Sequence, residues 1–285
     1  MAEVDHLSPS GLSAWAKCKA SWWHTYMEDR PRERPGIEMV RGTFVHAVLE
    51  RLAWFEPAER TTENAKRIAS RLYHEWVNFG ANADFTALGL SPGERDAFAA
   101  WTWRSITAGV PYVRMLDVAA TELAVDVELD GVPFSGFIDV VDRRVFGLGA
   151  LDWKTGAPPD PSLPWTAGKI TGMMVQPKLY GAALREMGYA VEAAGLIFIP
   201  GDGPGENMVE NVTDVALDDA VATLKKAWTE IQAADKLPET TTGALCAWCR
   251  HVDVCGPGQQ VVIERYYSNK SVSKQAVKAL GLEER

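Results

Sequence analysis

The stretch that most constrains this chain runs from Gly136 to Gly156, GFIDVVDRRVFGLGALDWKTG. It reads as a strand, a turn and a second strand, and a strand alternates its side chains so that residues two apart share a face. Asp139 lies on the first strand. Asp152 and Lys154 project together from the second, with Trp153 turned the other way. Two acids and a lysine at the mouth of an otherwise apolar hairpin are costly to bury without compensation. Two carboxylates are the hard oxygen donors that Mg²⁺ or Mn²⁺ takes. A lysine beside them can orient or deprotonate a water and stabilise a pentavalent phosphate, so the three residues outline a metal-dependent phosphodiester hydrolysis site. The plain alternative is a surface hairpin with solvated charges, because D-x-K is a short pattern that recurs by chance.

The preceding stretch, AATELAVDVEL at 119–129, alternates cleanly. Leu123, Val125, Val127 and Leu129 fall on one face; Glu122, Ala124, Asp126 and Glu128 fall on the other. Asp130-Gly131 then supplies a hairpin turn. Further strands are expected at 192–200 and 206–213, and helices at 8–27, 42–55, 63–80, 91–116, 170–188 and 217–235. Together they predict an α/β fold, with a mixed central sheet carrying the acids, flanking helices and a helical N-terminal portion. No repeat or linker stands out in the 285 residues, so one domain is expected over 1–285. Its parts are a mainly helical 1–116, a catalytic sheet with one helix at 117–215, and a helix, cysteine knuckle and tail at 216–285.

Charge and hydropathy exclude some classes of function. A net charge of −9 argues against a broad basic surface of the kind that coats duplex DNA, and leaves room only for a local basic groove. Arg30, Arg32, Arg34 and Arg41, interleaved with Pro31 and Pro35, are either a solvated loop or a rim contacting phosphates. No run approaches a membrane span, and MAEVDHLSPS has neither a basic start nor an apolar stretch. A cytoplasmic (intracellular) protein with no membrane partner is expected.

The four cysteines are Cys18, Cys246, Cys249 and Cys255. Three form C-x₂-C-x₅-C and one stands apart near the N-terminus. Two disulfides are the alternative, but nothing suggests an oxidising compartment. The set suits a tetrathiolate site for zinc or a 4Fe–4S cluster, and zinc sites more often pair two close-spaced knuckles. Ser8-Pro9-Ser10 opens a helix on which Leu12, Trp15, Cys18, Trp22 and Tyr26 share one face, so Cys18 is expected to point inward from it. Two prolines fall at awkward places. Pro111 should end or kink its helix, and Pro177 implies that the helix at 170–188 starts near Gln176 or bends there. Pro158, Pro159, Pro161 and Pro164 make a stiff loop. Near the cysteines, His251 is expected at the surface or behind the thiolates, and the tail closes in a short lysine-bearing helix.

G-x-I-D followed by L-D-x-K-T-G resembles the RecB-like branch of the PD-(D/E)xK nucleases. The S-x-S-x-L…C opening and the three-plus-one cysteines resemble the iron–sulfur members of that branch. In those, a cluster ties the chain ends together across a loop of roughly 230 residues. The resemblance implies a 4Fe–4S cluster, in preference to zinc, on Cys18, Cys246, Cys249 and Cys255. G-T-x-V-H-x-x-L-E resembles the family's first motif and implies that His46 is a metal ligand, whereas a lone histidine there would otherwise be a core residue. Glu50 lies one turn on, to orient His46 or to face solvent. The family places a glutamate on the strand before G-x-x-D; Glu122 fits best, ahead of Asp126 and Glu128. Gln176 and Tyr180 resemble the closing Q-x-x-x-Y motif.

The implied set is therefore Asp139, Asp152, Lys154, Gln176 and Tyr180 for catalysis. Mg²⁺ or Mn²⁺ is held by His46, Asp139, Asp152, Glu122 and the carbonyl of Trp153. The implied activity is that of a deoxyribonuclease, an exonuclease on single-stranded DNA ends, in recombination, repair, or CRISPR or phage DNA processing. No Walker A loop is present, so a helicase or recombination partner would be a separate chain. The rival reading is a catalytically silent DNA-binding scaffold subunit, disfavoured because Asp139, Asp152 and Lys154 are all present. A zinc-stabilised hydrolase acting on another phosphodiester is the third.

Overall fold

The alternation at 119–129 becomes strand β1 (Val118–Leu129), and the acidic hairpin becomes β2 (Val132–Arg143) and β3 (Leu148–Lys154). In this computed structural model, residues 4–28, 30, 36–79, 85, 88–160, 162–163, 166 and 168–283 are described. Of the expected basic rim, Pro31, Arg32, Arg34 and Pro35 lie outside the described residues, as do Pro161 and Pro164 of the proline loop. The chain divides into two compact units. One comprises Met1–Arg34, Gly131–Pro133 and Thr223–Arg285; the other comprises Pro35–Asp130 and Phe134–Ala222.

The larger unit is built on a mixed five-stranded sheet of order β1-β2-β3-β4-β5, with β4 at Val191–Phe198 and β5 at Glu206–Asn211. Asp130 and Gly131 both have positive φ (48° and 80°), the backbone that a two-residue hairpin turn requires. β2 pairs antiparallel with β3, β3 parallel with β4, and β4 antiparallel with β5. The parallel pair is bridged by helix α6 (Lys169–Glu186).

The pleat divides the sheet into two apolar faces. Ile197, Ile199, Leu151, Trp153 and Val140 pack against α3 (Ile37–Ala53), α4 (Thr62–Phe79) and α5 (Pro92–Met115). Leu196 and Phe198, one position out of phase, pack against Met174 of α6. Val45, Val48, Leu49 and Leu52 of α3 are fully buried, and each such side chain contributes roughly 1.5–3 kcal/mol. Asp152 and Lys154 pair in register with Leu196 and Phe198, so they share the α6 face.

Neither proline ends or starts its helix. α5 runs on through Pro111 to Met115, and α6 starts at Lys169 with Pro177 in its interior. A proline removes one helical donor. The buried side chains on both sides of it, Ile106, Val110 and Val113 in α5 and Met174, Leu179 and Ala183 in α6, hold the helix through the lost bond.

The smaller unit holds α1 (Pro9–Lys17), α2 (Lys19–Tyr26), the last part of α7 (Asp214–Gln232), α8 (Gly256–Tyr267) and α9 (Lys274–Ala279). Ser8 caps α1 by accepting the Gly11 amide at 3.2 Å. The single helix expected over 8–27 is in fact two, broken at Cys18, whose backbone is extended (φ −164°, ψ 110°). Leu12, Trp15 and Trp22 are buried as the spacing predicts, but Cys18 is the joint between the helices and not a residue on their face. Among the described residues, no helix is long and apolar enough to cross a membrane.

Candidate active site

The β2–β3 ladder ends at Val140 opposite Leu151, and the next residues along are Asp139 and Asp152. Where pairing stops, side chains take over the backbone's hydrogen bonds. The Trp153 amide donates to Asp139 Oδ2 at 2.8 Å. The sheet thus opens at the two acids while holding one of them in place.

Asp152 is buried, with 4% of its side chain exposed. Its Oδ1 accepts the Gln176 amide nitrogen at 2.6 Å, and Lys154 Nζ lies 2.6 Å from its Oδ2. The same Lys154 Nζ donates to Gln176 Oε1 at 3.0 Å. Gln176 therefore spans the acid and the lysine with both ends of its amide, which fixes the amide's orientation. Tyr180, one helical turn on and buried, packs edge-on against Phe134. Burial and then the charge of Asp152 push its phenol well above the usual range, so it stays a neutral donor.

α3 supplies the opposite wall through residues four apart, Gly42, His46 and Glu50. A Cβ at Gly42 would sit 3.4 Å from Thr155 Oγ1, so this part of α3 lies close against the end of the L-D-x-K-T-G segment. His46 Nδ1 lies 3.4 Å from Asp139 Oδ2. Glu50 adds its charge to those of Glu122 and Asp139, so it belongs to the acidic cluster. Glu122 stands on β1 with φ 46°, a left-handed conformation that a non-glycine residue rarely adopts.

Electrostatics set the site apart from an ordinary surface. Burial pushes the Asp139 carboxyl up to about 7, with Glu122's charge adding and the Trp153 amide opposing. Burial and then Asp139 push Asp152 up to about 6 against the pull of Lys154. Burial and Glu50 raise Glu122, while burial lowers His46. Several acids crowd together with incomplete compensation, which a cation would relieve.

Ligand atoms of His46, Glu122 and Asp139 all lie within 4.8 Å of one another. Trans ligands of an octahedral Mg²⁺ stand about 4.2 Å apart, so the trio fits one ion with little adjustment. Asp152 stands outside that trio, its oxygens turned to Gln176 and Lys154. The motif resemblance implied that Gln176 supports Lys154 or the scissile phosphate; its second contact, with Asp152, and the left-handed Glu122 had no signal in the sequence.

The four cysteines gather in the smaller unit around a cavity of about 360 Å³ that Ser21, His24, Thr240 and His251 also line. All four are free thiols. They come from unlike places: the α1–α2 break, a short 3₁₀ segment (Ala244–Trp248), the residue after it, and the N-cap of α8. Burial raises the Cys249 thiol, with Cys255 and Cys18 adding to the shift. His251 is buried and not at the surface. Its Nε2 lies 2.9 Å from Thr25 Oγ1, and its ring is 5.4 Å from that of His24. Burial and then Arg250 bring the His251 imidazole down to about 4, which keeps it neutral.

The family model described as the PD-(D/E)XK nuclease superfamily matches residues 6–256. No protein of curated function matches the sequence. Among solved structures, a "putative exonuclease" from Eubacterium rectale superposes with a TM-score of 0.56 at 14% identity, over 87% of this chain and 88% of that one. The protein SSO0001 aligns over 87% of this chain and 96% of that one, at 14% identity and a TM-score of 0.33, too loose an overlap to use.

Proposed function

The chain belongs to the PD-(D/E)XK nuclease superfamily, and we propose that it is a metal-dependent deoxyribonuclease that degrades single-stranded DNA from an end. The observation that carries this reading is the closed set Asp152–Gln176–Lys154 set beside Asp139 and the His46–Glu122 pair. A degenerate scaffold would have no reason to keep two acids buried at the cost of raised pKa values. The structural neighbour's description as an exonuclease adds weight to attack at ends.

In this reading His46, Glu122 and Asp139, with Asp152 and the Trp153 carbonyl nearby, would hold one Mg²⁺ or Mn²⁺, which would supply Lewis acidity to lower the pKa of a water and offset charge on the phosphorane. Lys154, kept in place by Gln176 and Asp152, aims a charged donor at that water or at a phosphate oxygen. Tyr180, neutral and buried, backs the bridge. The Trp153 amide keeps Asp139 from rotating out of the site.

We also propose that both units form one nuclease domain, since the family match runs through each. Within it a 4Fe–4S cluster sits on the four cysteines. Support comes from the cavity they share and from their spacing. Zinc sites more often pair two close-spaced knuckles, whereas here three cysteines are close in sequence and one is distant.

The test is end-labelled single-stranded DNA with Mg²⁺ or Mn²⁺, comparing the anaerobically purified protein with Lys154→Ala. Loss of a general acid–base or charge-stabilising group lowers rates by about 10²–10⁴-fold. Cutting by the parent and not by the variant supports the reading. Binding without cutting by both sinks it in favour of the scaffold.

A further inference from the structure

We propose that Arg41 is a prearranged clamp for a DNA phosphate neighbouring the scissile one, held in readiness by stacking on Trp101 and latched by Glu38. The inference rests on the nuclease reading and adds a substrate-binding residue to it.

Arg41 precedes Gly42, the residue of α3 that approaches Thr155 just after Lys154, so its backbone is fixed beside the catalytic strand end. Its guanidinium lies 3.6 Å over the centroid of the Trp101 ring of α5. Gly201 also lies against that ring, since any Cβ there would collide with the indole. Gly201 in turn is anchored, since its carbonyl accepts Arg104 Nε. The chain there continues directly from β4, where the Ile199 amide donates to the Lys154 carbonyl at 2.8 Å and Ser105 Oγ donates to the Ile199 carbonyl. The indole that carries Arg41 is thereby held through Gly201 to the strand that carries the catalytic lysine.

Such a stack does not look like a device for stability alone. Only 12% of the Arg41 side chain is exposed, yet part of its hydrogen-bonding capacity is unused among the described residues. Its Nε is buried with no hydrogen-bond partner among the described residues, and Nη2 is paired with Glu38. Glu38 is 76% exposed and sits one turn earlier on the same helix, so it can swing away into water at little cost. A phosphate presents the planar, bidentate acceptor that a fixed guanidinium fork matches, and stacking leaves that fork little orientational freedom to lose on binding. In a chain of net charge −9, a cation positioned in this way supplies locally what bulk charge does not. Glu38 holds the fork while DNA is absent and competes with phosphate when it is present.

The experiment measures binding of a fluorescent single-stranded oligothymidylate with Ca²⁺ in place of Mg²⁺, over a salt series, alongside cutting in Mg²⁺. Arg41→Ala is expected to weaken binding about ten-fold or more and to reduce the salt slope by about 0.7, the signature of one lost phosphate contact on a single strand. Arg41→Lys keeps the charge and loses the fork and stack, and should fall near the alanine variant. Trp101→Leu should weaken binding without changing the salt slope. Glu38→Gln, a surface change that leaves the fold alone, should tighten binding. Wild-type affinity and slope in both Arg41 variants, or no gain in Glu38→Gln, overturn the clamp while the parent's cutting still stands. A parent that does not cut overturns the nuclease reading itself.

Discussion

The acidic site and the cysteine site are built on opposite principles. Around Asp152, Lys154 and Gln176 every group is held by another: three contacts of 2.6–3.0 Å close a ring, and a backbone amide fixes Asp139. Around the four thiols the contacts among the described residues are longer, such as Thr240 Oγ1 at 3.8 Å from Cys255 Sγ. The supporting elements there are a helix break, a short 3₁₀ turn and a cap. The lesson is that one centre is prearranged by the fold and takes a ligand into an existing frame. The other brings four thiols from separate helix ends and turns to one cavity, where the proposed cluster would bond them together. Stability should therefore depend on the cluster, and catalysis on the acids.

The largest effect that would test this contrast is at Cys255. A structural metal contributes on the order of 10 kcal/mol of folding free energy in metal-held domains, so losing one ligand of four removes several kcal/mol. Cys255→Ser nearly conserves volume, and it should lose most of its iron by metal analysis and melt far below the parent. Lys154→Ala, by contrast, should melt close to it. A Cys255→Ser protein that melts like the parent would erase the distinction.

The next effect is electrostatic and has the opposite sign. Asp139 has a folded pKa of about 7, above the unfolded carboxylate value, so its contribution to stability is full below about pH 4. That contribution is lost as pH rises through 7, because the buried group must then carry charge. Thermal melts without divalent metal should fall over this window, and Asp139→Asn should flatten the fall by about 1–3 kcal/mol. Added Mn²⁺ should reverse it more strongly at pH 8 than at pH 5. A melt of the metal-free protein that rises across this window would show that the acids are compensated by partners inside the fold.

What the sequence disclosed follows the same division. The acidic hairpin was legible because period-two alternation puts Asp152 and Lys154 together whatever else the chain does, and Asp130-Gly131 prescribes its own turn. The break at Cys18 was not legible, because Leu12, Trp15 and Trp22 keep helical spacing across it and remain buried. The helix at Gly256–Tyr267, with Pro257 in its first turn and Cys255 as its cap, hid behind the cysteine spacing. Pro177 left the start of its helix open for a different reason. It forbids one hydrogen bond, but the packing of α6 against the sheet outweighs that loss. The positions of Gln176 and Tyr180 could be named from their motif. The two-ended amide bridge to Asp152 and Lys154 depends on how far α6 stands from β3, which no local pattern encodes.

The smallest effect is at Glu122, where the prearranged site carries its one visible backbone strain. With φ at 46°, any residue with a Cβ costs about 1 kcal/mol relative to glycine. Glu122→Ala and Glu122→Gly both remove the carboxylate, and both should weaken Mn²⁺ affinity alike in a metal titration. They should differ in stability, the glycine variant being the more stable by about 1 kcal/mol in denaturant melts. A left-handed residue on a strand redirects its side chain, and strain of this size persists only where the surrounding structure enforces it. Equal stability of the two variants would mean that β1 relaxes to an ordinary strand once the carboxylate is gone. The strain would then belong to the carboxylate's place among His46, Glu50 and Asp139, and the frame would be less fixed than the ring around Gln176 implies.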